Sequence, residues 1–186
     1  GNTTANAGVV VISDSSNTVV GKIAVGDNPQ AVTYDSGDGN IYVTAQLVTT
    51  TSGTPPYLFA ISGSNNTVVA EIPNLSAGPG GLAYDSANHE IYVADGGLEI
   101  VSDGNNSVVG SVDFKGQPFG VGAVAYDAGN GRLYATNGPL DTVSVISDSA
   151  QSVLAAILVG GGLGSAPTGV AYDTGNGDIY VTCVDS

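Results

Sequence analysis

One phrase occurs four times in this chain of 186 residues, and its recurrence constrains the fold more than any other feature. The phrase begins with a short apolar run that ends in Tyr-Asp. A turn of small polar residues follows, and then a second apolar run that contains another tyrosine. The copies span residues 31–45, 81–95, 123–137 and 169–183, and the two tyrosines are eight residues apart in every copy. A chain that repeats itself at this scale is built from one structural unit used several times.

A second phrase, which contains Ile-Ser-Asp or a variant of it, alternates with the first at residues 9–26, 58–72, 98–114 and 143–160. The apolar runs are short and rich in Val, Ile and Tyr, which favours strands, and turns of Gly, Asn, Asp and Ser separate them. Some runs, such as 9–12 and 154–159, are apolar on both faces, which is typical of sheets stacked between other sheets. Equivalent tyrosines lie 50, 42 and 46 residues apart. This period and these strands indicate the blades of a β-propeller.

The repeat resembles the YVTN β-propeller repeat of archaeal and bacterial cell-surface proteins. The resemblance rests on the Tyr-Asp, Asn-Gly and Ile-Tyr-Val-Thr elements of the first phrase and on Val-Ile-Ser-Asp and Thr-Val-Val in the second, and it covers nearly the whole chain beyond the first six residues. It implies that the first phrase forms the inner two strands of a blade and the second phrase the outer two. Only Asn137 keeps the final Asn of the family phrase; Ala45, Asp95 and Cys183 replace it elsewhere.

The sequence therefore predicts one all-β domain over residues 1–186, a propeller of four four-stranded antiparallel blades. Units at approximately 29–72, 79–114 and 118–160 form three blades. The N-terminal outer strand pair (7–26) and the C-terminal inner strand pair (167–186) share the fourth, and closing the ring in this way would remove exposed sheet edges. In two alternatives another chain completes that blade, either in a closed dimer of eight blades or in a filament.

The charge and the surface composition limit the partners. Three basic residues against 17 acidic ones give a net charge of −14, which repels nucleic acid and anionic membrane surfaces. The absence of methionine, even at position 1, predicts that an N-terminal signal has been removed. Four N-glycosylation sequons agree with export, at Asn2, Asn65, Asn74 and Asn105. We expect an extracellular or cell-surface protein without membrane insertion.

Few side chains in this sequence suit catalysis. His89 is the only histidine and stands where the other copies have glycine in a turn, so a Ser/His/Asp site is not expected. Cys183 is the only cysteine, which leaves a small buried thiol or an intermolecular disulfide as its roles. One histidine and one cysteine cannot supply four zinc ligands. We expect no catalytic residue and no cofactor, with Ca²⁺ as the one exception.

A candidate Ca²⁺ site comes from four aspartates at the same repeat position, where each predicted inner strand ends: Asp35, Asp85, Asp127 and Asp173. In a closed propeller these carboxylates would encircle one mouth of the central channel, and Ca²⁺ prefers oxygen ligands. In the alternative, each aspartate accepts hydrogen bonds from backbone amides of its own hairpin turn.

Two classes of function fit these features. The first is a non-enzymatic structural or adhesive propeller of the cell exterior that self-associates in a homo-oligomer, a filament or a surface layer, with other surface proteins or glycans as further partners. The resemblance and the shortage of catalytic groups favour it. The second is a ligand-binding or Ca²⁺-binding propeller, including a lactonase-like hydrolase, since such enzymes resemble this fold. The long segment 45–57 is the connection best suited to a specific role.

Overall fold

A computed structural model describes residues 7–26, 28–45, 57–73, 75, 80–114, 120–160, 164 and 166–184. These residues form sixteen strands, together with a single 3-10 turn at Gly138–Leu140 and no α-helix. None of the described segments is a helix long and apolar enough to span a bilayer. The strands in chain order are β1 (Val9–Ser13), β2 (Thr18–Ile23), β3 (Ala31–Tyr34), β4 (Asn40–Ala45), β5 (Tyr57–Ser62), β6 (Thr67–Ile72), β7 (Leu82–Asp85), β8 (Glu90–Asp95), β9 (Gly97–Ser102), β10 (Ser107–Ser111), β11 (Val121–Asp127), β12 (Arg132–Asn137), β13 (Thr142–Ser147), β14 (Ser152–Leu158), β15 (Ala166–Tyr172) and β16 (Ile179–Val184).

The strands form three complete four-stranded antiparallel sheets and two two-stranded sheets. The complete sheets are blade 1 (β3–β6), blade 2 (β7–β10) and blade 3 (β11–β14), and within each blade the strands pair in chain order. The pair β1–β2 is the outer half of a blade and the pair β15–β16 is the inner half of one; we call them the outer and inner half-blades. The predicted all-β propeller of four-stranded antiparallel blades is confirmed, and the strand count fits four blades.

The fourth blade is not assembled within the chain. Among the described strands, β1 pairs with β2 and β15 pairs with β16, and neither pair joins the other. The predicted sharing of one blade between 7–26 and 167–186 is therefore absent from this structure, and the blades form an open arc. Inner strands of successive blades contact each other in chain order, β3 with β7, β7 with β11 and β11 with β15.

Two kinds of hairpin turn recur, and both use residues with positive φ. The turn between the inner strands places Gly39, His89, Gly131 and Gly177 at φ values from 59° to 80°. The turn between the outer strands places Asn17, Asn66, Asn106 and Gln151 at φ values from 48° to 58°. Glycine adopts this conformation without steric cost, and asparagine tolerates it better than most residues. The local turn chemistry that the sequence predicts is thus present in every unit.

A β-bulge recurs in every outer strand pair. The register shifts between Val11 and Ile12 in the outer half-blade and at the equivalent point of each complete blade. The extra residue always lies on the fourth strand of the blade: Val20, Val69, Val109 and Leu154. These side chains are 52–60% exposed, because a bulged residue is turned out of the regular pleat.

The core lies between successive sheets. In the second and third strands of the complete blades, consecutive residues are buried on both faces, as in β8 and β13. One apolar cluster, which includes Leu98 and Leu133, fills the space between blades 2 and 3. A second, which includes Leu58 and Ile91, lies between blades 1 and 2, and a third joins blade 1 to the outer half-blade. Blades stacked face to face therefore supply most of the buried apolar surface.

The runs 9–12 and 154–159, which are apolar on both faces in the sequence, are not buried on both faces in the structure. Strand β1 alternates between half-buried and exposed residues, and β14 is exposed from Leu154 to Leu158. The reason is that β1 belongs to a half-blade, while β14 is an outer strand next to the inner half-blade, which has no outer strands to cover it.

Replacing Leu133 tests the core between blades 2 and 3. Leu133 is fully buried, so Leu133→Ala should lower the free energy of unfolding by about 2–5 kcal/mol through lost burial and a cavity. Leu154→Ala is the matched control, because Leu154 is 55% exposed, and it should change the free energy by less than about 0.5 kcal/mol. Urea denaturation of both variants measures the difference, and equal effects would contradict this account of the core.

Candidate functional site

Each of the four repeat aspartates accepts a hydrogen bond inside its own turn. Asp35 Oδ1 accepts from the Gly37 amide at 2.7 Å, and Asp85 Oδ1 accepts from the Ala87 amide at 2.8 Å. Asp127 and Asp173 accept equivalent bonds at 2.8 and 2.7 Å from the amides of Gly129 and Gly175. The acceptor is thus always two residues before the donor, which is the geometry of an Asx turn. The structure shows the hairpin role that the sequence offers as the alternative to a metal ring.

The four aspartates do not converge on a common ion. Across the described part of the chain, no three His, Cys, Asp or Glu side chains come together as a metal-binding group. Asp35, Asp85 and Asp127 are buried, whereas Asp173 is exposed. A ring of four carboxylates requires a closed channel, and this arc is open. The described residues therefore give no support to the Ca²⁺ ring at Asp35, Asp85, Asp127 and Asp173, which stays a prediction.

A tyrosine hydroxyl from the next blade lies beside each buried aspartate. The pairs are Asp35 with Tyr84, Asp85 with Tyr126 and Asp127 with Tyr172. Burial first, and then the carboxylate of the preceding blade, raise the pKa of Tyr84 and of Tyr126. The hydrogen bond with Asp127 is the main cause that raises the pKa of Tyr172. These hydroxyls lie close enough to the carboxylates to interact with them electrostatically, so each pair is a polar contact between one blade and the next.

The hydroxyls of Tyr84 and Tyr126 also contact an aspartate that follows the third strand of their own blade. Tyr84 Oη donates to Asp103 Oδ2 at 3.4 Å, and Tyr126 Oη donates to Asp148 Oδ2 at 3.2 Å. Asp103 and Asp148 are the aspartates of the second repeated phrase. Tyr84 and Tyr126 thus each sit between two carboxylates, one from the preceding blade and one from their own.

The second tyrosine of the phrase contacts the outer turn of the next blade. Tyr42 is fully buried, and its hydroxyl donates to Asn106 Oδ1 at 2.9 Å. Tyr92 is fully buried as well; its hydroxyl donates to Glu90 Oε2 at 3.0 Å and lies 3.5 Å from the Asp148 carbonyl oxygen. Burial, followed by nearby carboxylates, raises the pKa of both tyrosines. These contacts fix the outer part of each blade against its neighbour.

His89 belongs to a polar cluster that the sequence does not predict. Its side chain is 62% exposed, as expected for the turn position, and its Nδ1 lies 3.2 Å from Asp103 Oδ2. The same nitrogen lies 3.2 Å from the Tyr84 hydroxyl. His89 comes from the inner turn of blade 2 and Asp103 from the end of β9, so only the folded sheet brings them together. The neighbours of the imidazole are thus a carboxylate and a phenol.

At the two half-blades, some repeat positions that a neighbouring blade covers elsewhere are exposed. Tyr34 is 62% exposed and Tyr180 is 56% exposed, although Tyr42 and Tyr92 at the position of Tyr180 are fully buried. A cavity of about 230 Å³ lies beside β1, and Ile41, Ile61 and Asn66 line its other side. A second cavity of about 260 Å³ lies along β1 and β3. Surfaces that a neighbouring blade covers elsewhere in the arc are open at these places.

The remaining predicted positions divide between described and undescribed residues. Cys183 is an exposed free thiol near the end of β16, so the expectation of a buried thiol is wrong, because no outer strand covers β16. A disulfide from Cys183 to another chain stays a prediction. Asn65 and Asn105 are exposed on outer turns, where a glycan has room. Asn2, Asn74 and residues 46–56 of the long connection lie outside the described residues.

Comparison with known proteins supports the fold. No family model matches the chain, and neither does any curated protein sequence. Among solved structures, it is similar to hydrazine synthase of Kuenenia stuttgartiensis, with 18% identity, a TM-score of 0.79, and coverage of 95% of this chain and 49% of that one. A gluconolactonase of Xanthomonas campestris shares 15% identity with a TM-score of 0.66, covering 92% of this chain and 62% of that one.

A nidogen/laminin complex gives a similar match, with 16% identity, a TM-score of 0.64, and coverage of 92% of this chain and 64% of that one. These neighbours are β-propeller proteins. The chain spans about half to two thirds of the length of these structures. At such low identity the likeness shows the fold alone.

The buried aspartate turn can be tested against its exposed equivalent. The buried carboxylate of Asp85 accepts from the amides of Ala87 and Asn88 and from the Asn88 side chain, so Asp85→Ala should cost about 1–3 kcal/mol by removing these hydrogen bonds to a charged group. Asp173→Ala removes the same turn acceptor at an exposed position, where water replaces it, and should cost less than about 1 kcal/mol. Thermal unfolding of both variants at low protein concentration measures the difference, and a larger loss for Asp173→Ala would refute it.

The tyrosine contacts predict a loss of stability at alkaline pH. Their pKa values are raised in the folded state, while tyrosine in the unfolded chain titrates near pH 10. Folding stability from these tyrosines is therefore fully present below about pH 10 and is lost as pH rises above it, because the unfolded state then releases more protons. Unfolding free energies measured from about pH 8 to 12 should fall above pH 10, and less steeply in Tyr92→Phe. Constant stability over this range would contradict the prediction.

Proposed function

We propose that this protein is a non-enzymatic structural propeller of the cell exterior whose copies associate with one another in an oligomer, a filament or a surface layer. The observation that carries the proposal is the open arc, which ends in two half-blades with uncovered apolar and tyrosine positions. Monomeric proteins seldom expose large contiguous apolar patches, and those that do commonly use them as interaction sites. In this chain the exposed Tyr34 and Tyr180 stand at repeat positions whose equivalents contact another blade elsewhere in the arc.

The polar groups of the repeat support a structural role. The aspartates of the first phrase accept backbone amides in their turns, and the tyrosines contact the neighbouring blade. A side chain that holds a turn or a blade contact in every unit performs a task that the whole fold requires. Asp35, Asp85 and Asp127 are thus engaged in holding their turns, and Tyr42 in holding blade 1 against blade 2.

The surface supports an exterior location. Charged residues make up 11% of the chain, well below the roughly 25% of ordinary globular proteins, so small polar side chains dominate. Two of the four sequons, at Asn65 and Asn105, lie exposed on outer turns. Glycans at these turns would project from the rim of the propeller, away from the faces where blades stack.

The competing function is ligand binding or lactonase-like hydrolysis. Its support is the likeness to a gluconolactonase, which shows the fold alone, and the predicted carboxylate ring, which the open arc does not form. We therefore place self-association first.

Self-association is tested by measuring the molar mass as the pH falls. At neutral pH the net charge of −14 makes copies repel each other, and protonation of carboxylates removes this repulsion. We expect the mass from light scattering to rise between pH 7 and about pH 4, and added salt at pH 7 to act in the same direction by screening. A monomer at every pH, salt and protein concentration would refute the proposal.

A further inference from the structure

We propose that the inner half-blade of one copy and the outer half-blade of a second copy combine into one complete blade, in which β16 pairs with β1. This proposal rests on the self-association proposed above and specifies its surface. The outer half-blade has strands three and four of a blade without strands one and two, and the inner half-blade has strands one and two without three and four. Each half therefore has what the other lacks.

The complete blades define the register of the pairing between copies. In blade 1, Tyr42 lies opposite Ala60 and Thr44 opposite Leu58; blades 2 and 3 repeat this register at equivalent positions. Transferred to the half-blades by repeat position, Tyr180 lies opposite Val11 and Thr182 lies opposite Val9. Because side chains alternate between faces, a slip by one residue would turn every side chain to the wrong face. The register is thus specific.

The exposed ring of Tyr180 matches the cavity beside β1. In blade 1 the equivalent Tyr42 is buried against blade 2, and its hydroxyl donates to Asn106 on the outer turn of that blade. Across the proposed junction, Tyr180 would meet Asn66, which holds the place of Asn106 in blade 1 and has the same positive φ. Asn66 lines the 230 Å³ cavity together with Ile41 and Ile61. The cavity is therefore the tyrosine site of the missing neighbour.

A second pair of exposed residues, Tyr34 and Asp173, would also meet at the proposed junction. Each inner tyrosine of blades 2 and 3 lies beside the aspartate of the preceding blade. Tyr34 has no such aspartate before it, because the outer half-blade lacks inner strands, and Asp173 has no blade after it. Both are exposed. In the proposed junction, Tyr34 of the second copy follows Asp173 of the first, so the junction reproduces the contact between Asp35 and Tyr84.

Blade 3 and β16 enclose one more open surface that β1 of a second copy would cover. A cavity of about 180 Å³ lies between blade 3 and β16, lined by Tyr134, Ile157 and Ile179 among others. In blades 1 and 2 the third strand of the following blade covers this place, and at the junction β1 of the second copy takes that position. The contact is heterologous, since different surfaces of the two copies meet, so it builds a ring or a chain of copies.

Cysteine cross-linking tests both the partner and the register. Two variants are made in a Cys183→Ser background, one with Val9→Cys and the other with Thr182→Cys, and they are mixed at about 0.15 M salt, where surface repulsion is screened beyond about 8 Å. Directly opposed strand positions bring the Cβ atoms close enough for a disulfide. We expect a covalent dimer of the two variants after mild oxidation, and at least about tenfold less when Val10→Cys replaces Val9→Cys, because the thiols then point to opposite faces.

Each outcome decides the proposal. Specific cross-linking of the Val9→Cys and Thr182→Cys pair supports it. Association by light scattering with equal or no cross-linking from the two pairs overturns this junction and leaves the self-association proposal intact. A monomer without cross-links overturns both. A chain carrying both Val9→Cys and Thr182→Cys that forms a disulfide only within itself also overturns the junction, because it shows closure of the ring within one copy.

Replacing Tyr180 provides a second test without added cysteines. Tyr180→Ala removes the side chain that fills the cavity and should weaken association by roughly tenfold or more, as buried aromatic anchors do at interfaces. Tyr180→Phe keeps the ring and should retain most of the affinity. Tyr180 is 56% exposed in a single chain, so neither variant removes a core contact of the monomer. Equal association of Tyr180→Ala and the unmodified chain would overturn the proposal.

Discussion

The structure depends on the burial of both faces of each sheet by its neighbours. Strands two and three of the complete blades are apolar on both sides, so a single blade has no stable form in water and each must lie between two others. Tyrosine hydroxyls add polar contacts to this stacking: those of Tyr84 and Tyr126 lie beside a carboxylate of the preceding blade, and that of Tyr42 donates to Asn106 of the following one. The stabilising contacts therefore lie between neighbouring blades, and they are fewest at the half-blades, where one neighbour is absent.

The sequence predicts what local chemistry controls. Short β-rich runs and the Gly and Asn turns predict the hairpins, and the positive φ of Gly39 and Asn66 agrees with them. The order of strands in the three complete blades follows, because strands that are consecutive in the chain commonly pair with each other. Even the exposed position of His89 is predictable, since it replaces a glycine in a turn.

What the sequence misses depends on how whole sheets are oriented. The contact of His89 with Asp103 requires β9 to lie next to the inner turn. The separation of β16 from β1 depends on the rotation between blades, which is the sum of many side-chain contacts and leaves no local pattern. The sequence does not predict the bulges either, because an apolar residue such as Leu154 has the same pattern as a residue of the core. The four aspartates were open to two interpretations for the same reason, since a shared repeat position says nothing about convergence in space.

The recurring bulge has a consequence for which edges of this protein can accept another strand. The bulged residue sits on the outermost strand of every complete blade, where it breaks the even spacing of amides and carbonyls along the rim. A kinked rim of this kind discourages strand addition and so protects the molecule from indiscriminate aggregation. Strands β1 and β16 carry no extra residue themselves, because the irregularities of their sheets lie on β2 and β15. The outer rim of the protein thus disfavours the addition of further strands, while β1 and β16 keep the regular spacing of amides and carbonyls that a matching strand needs.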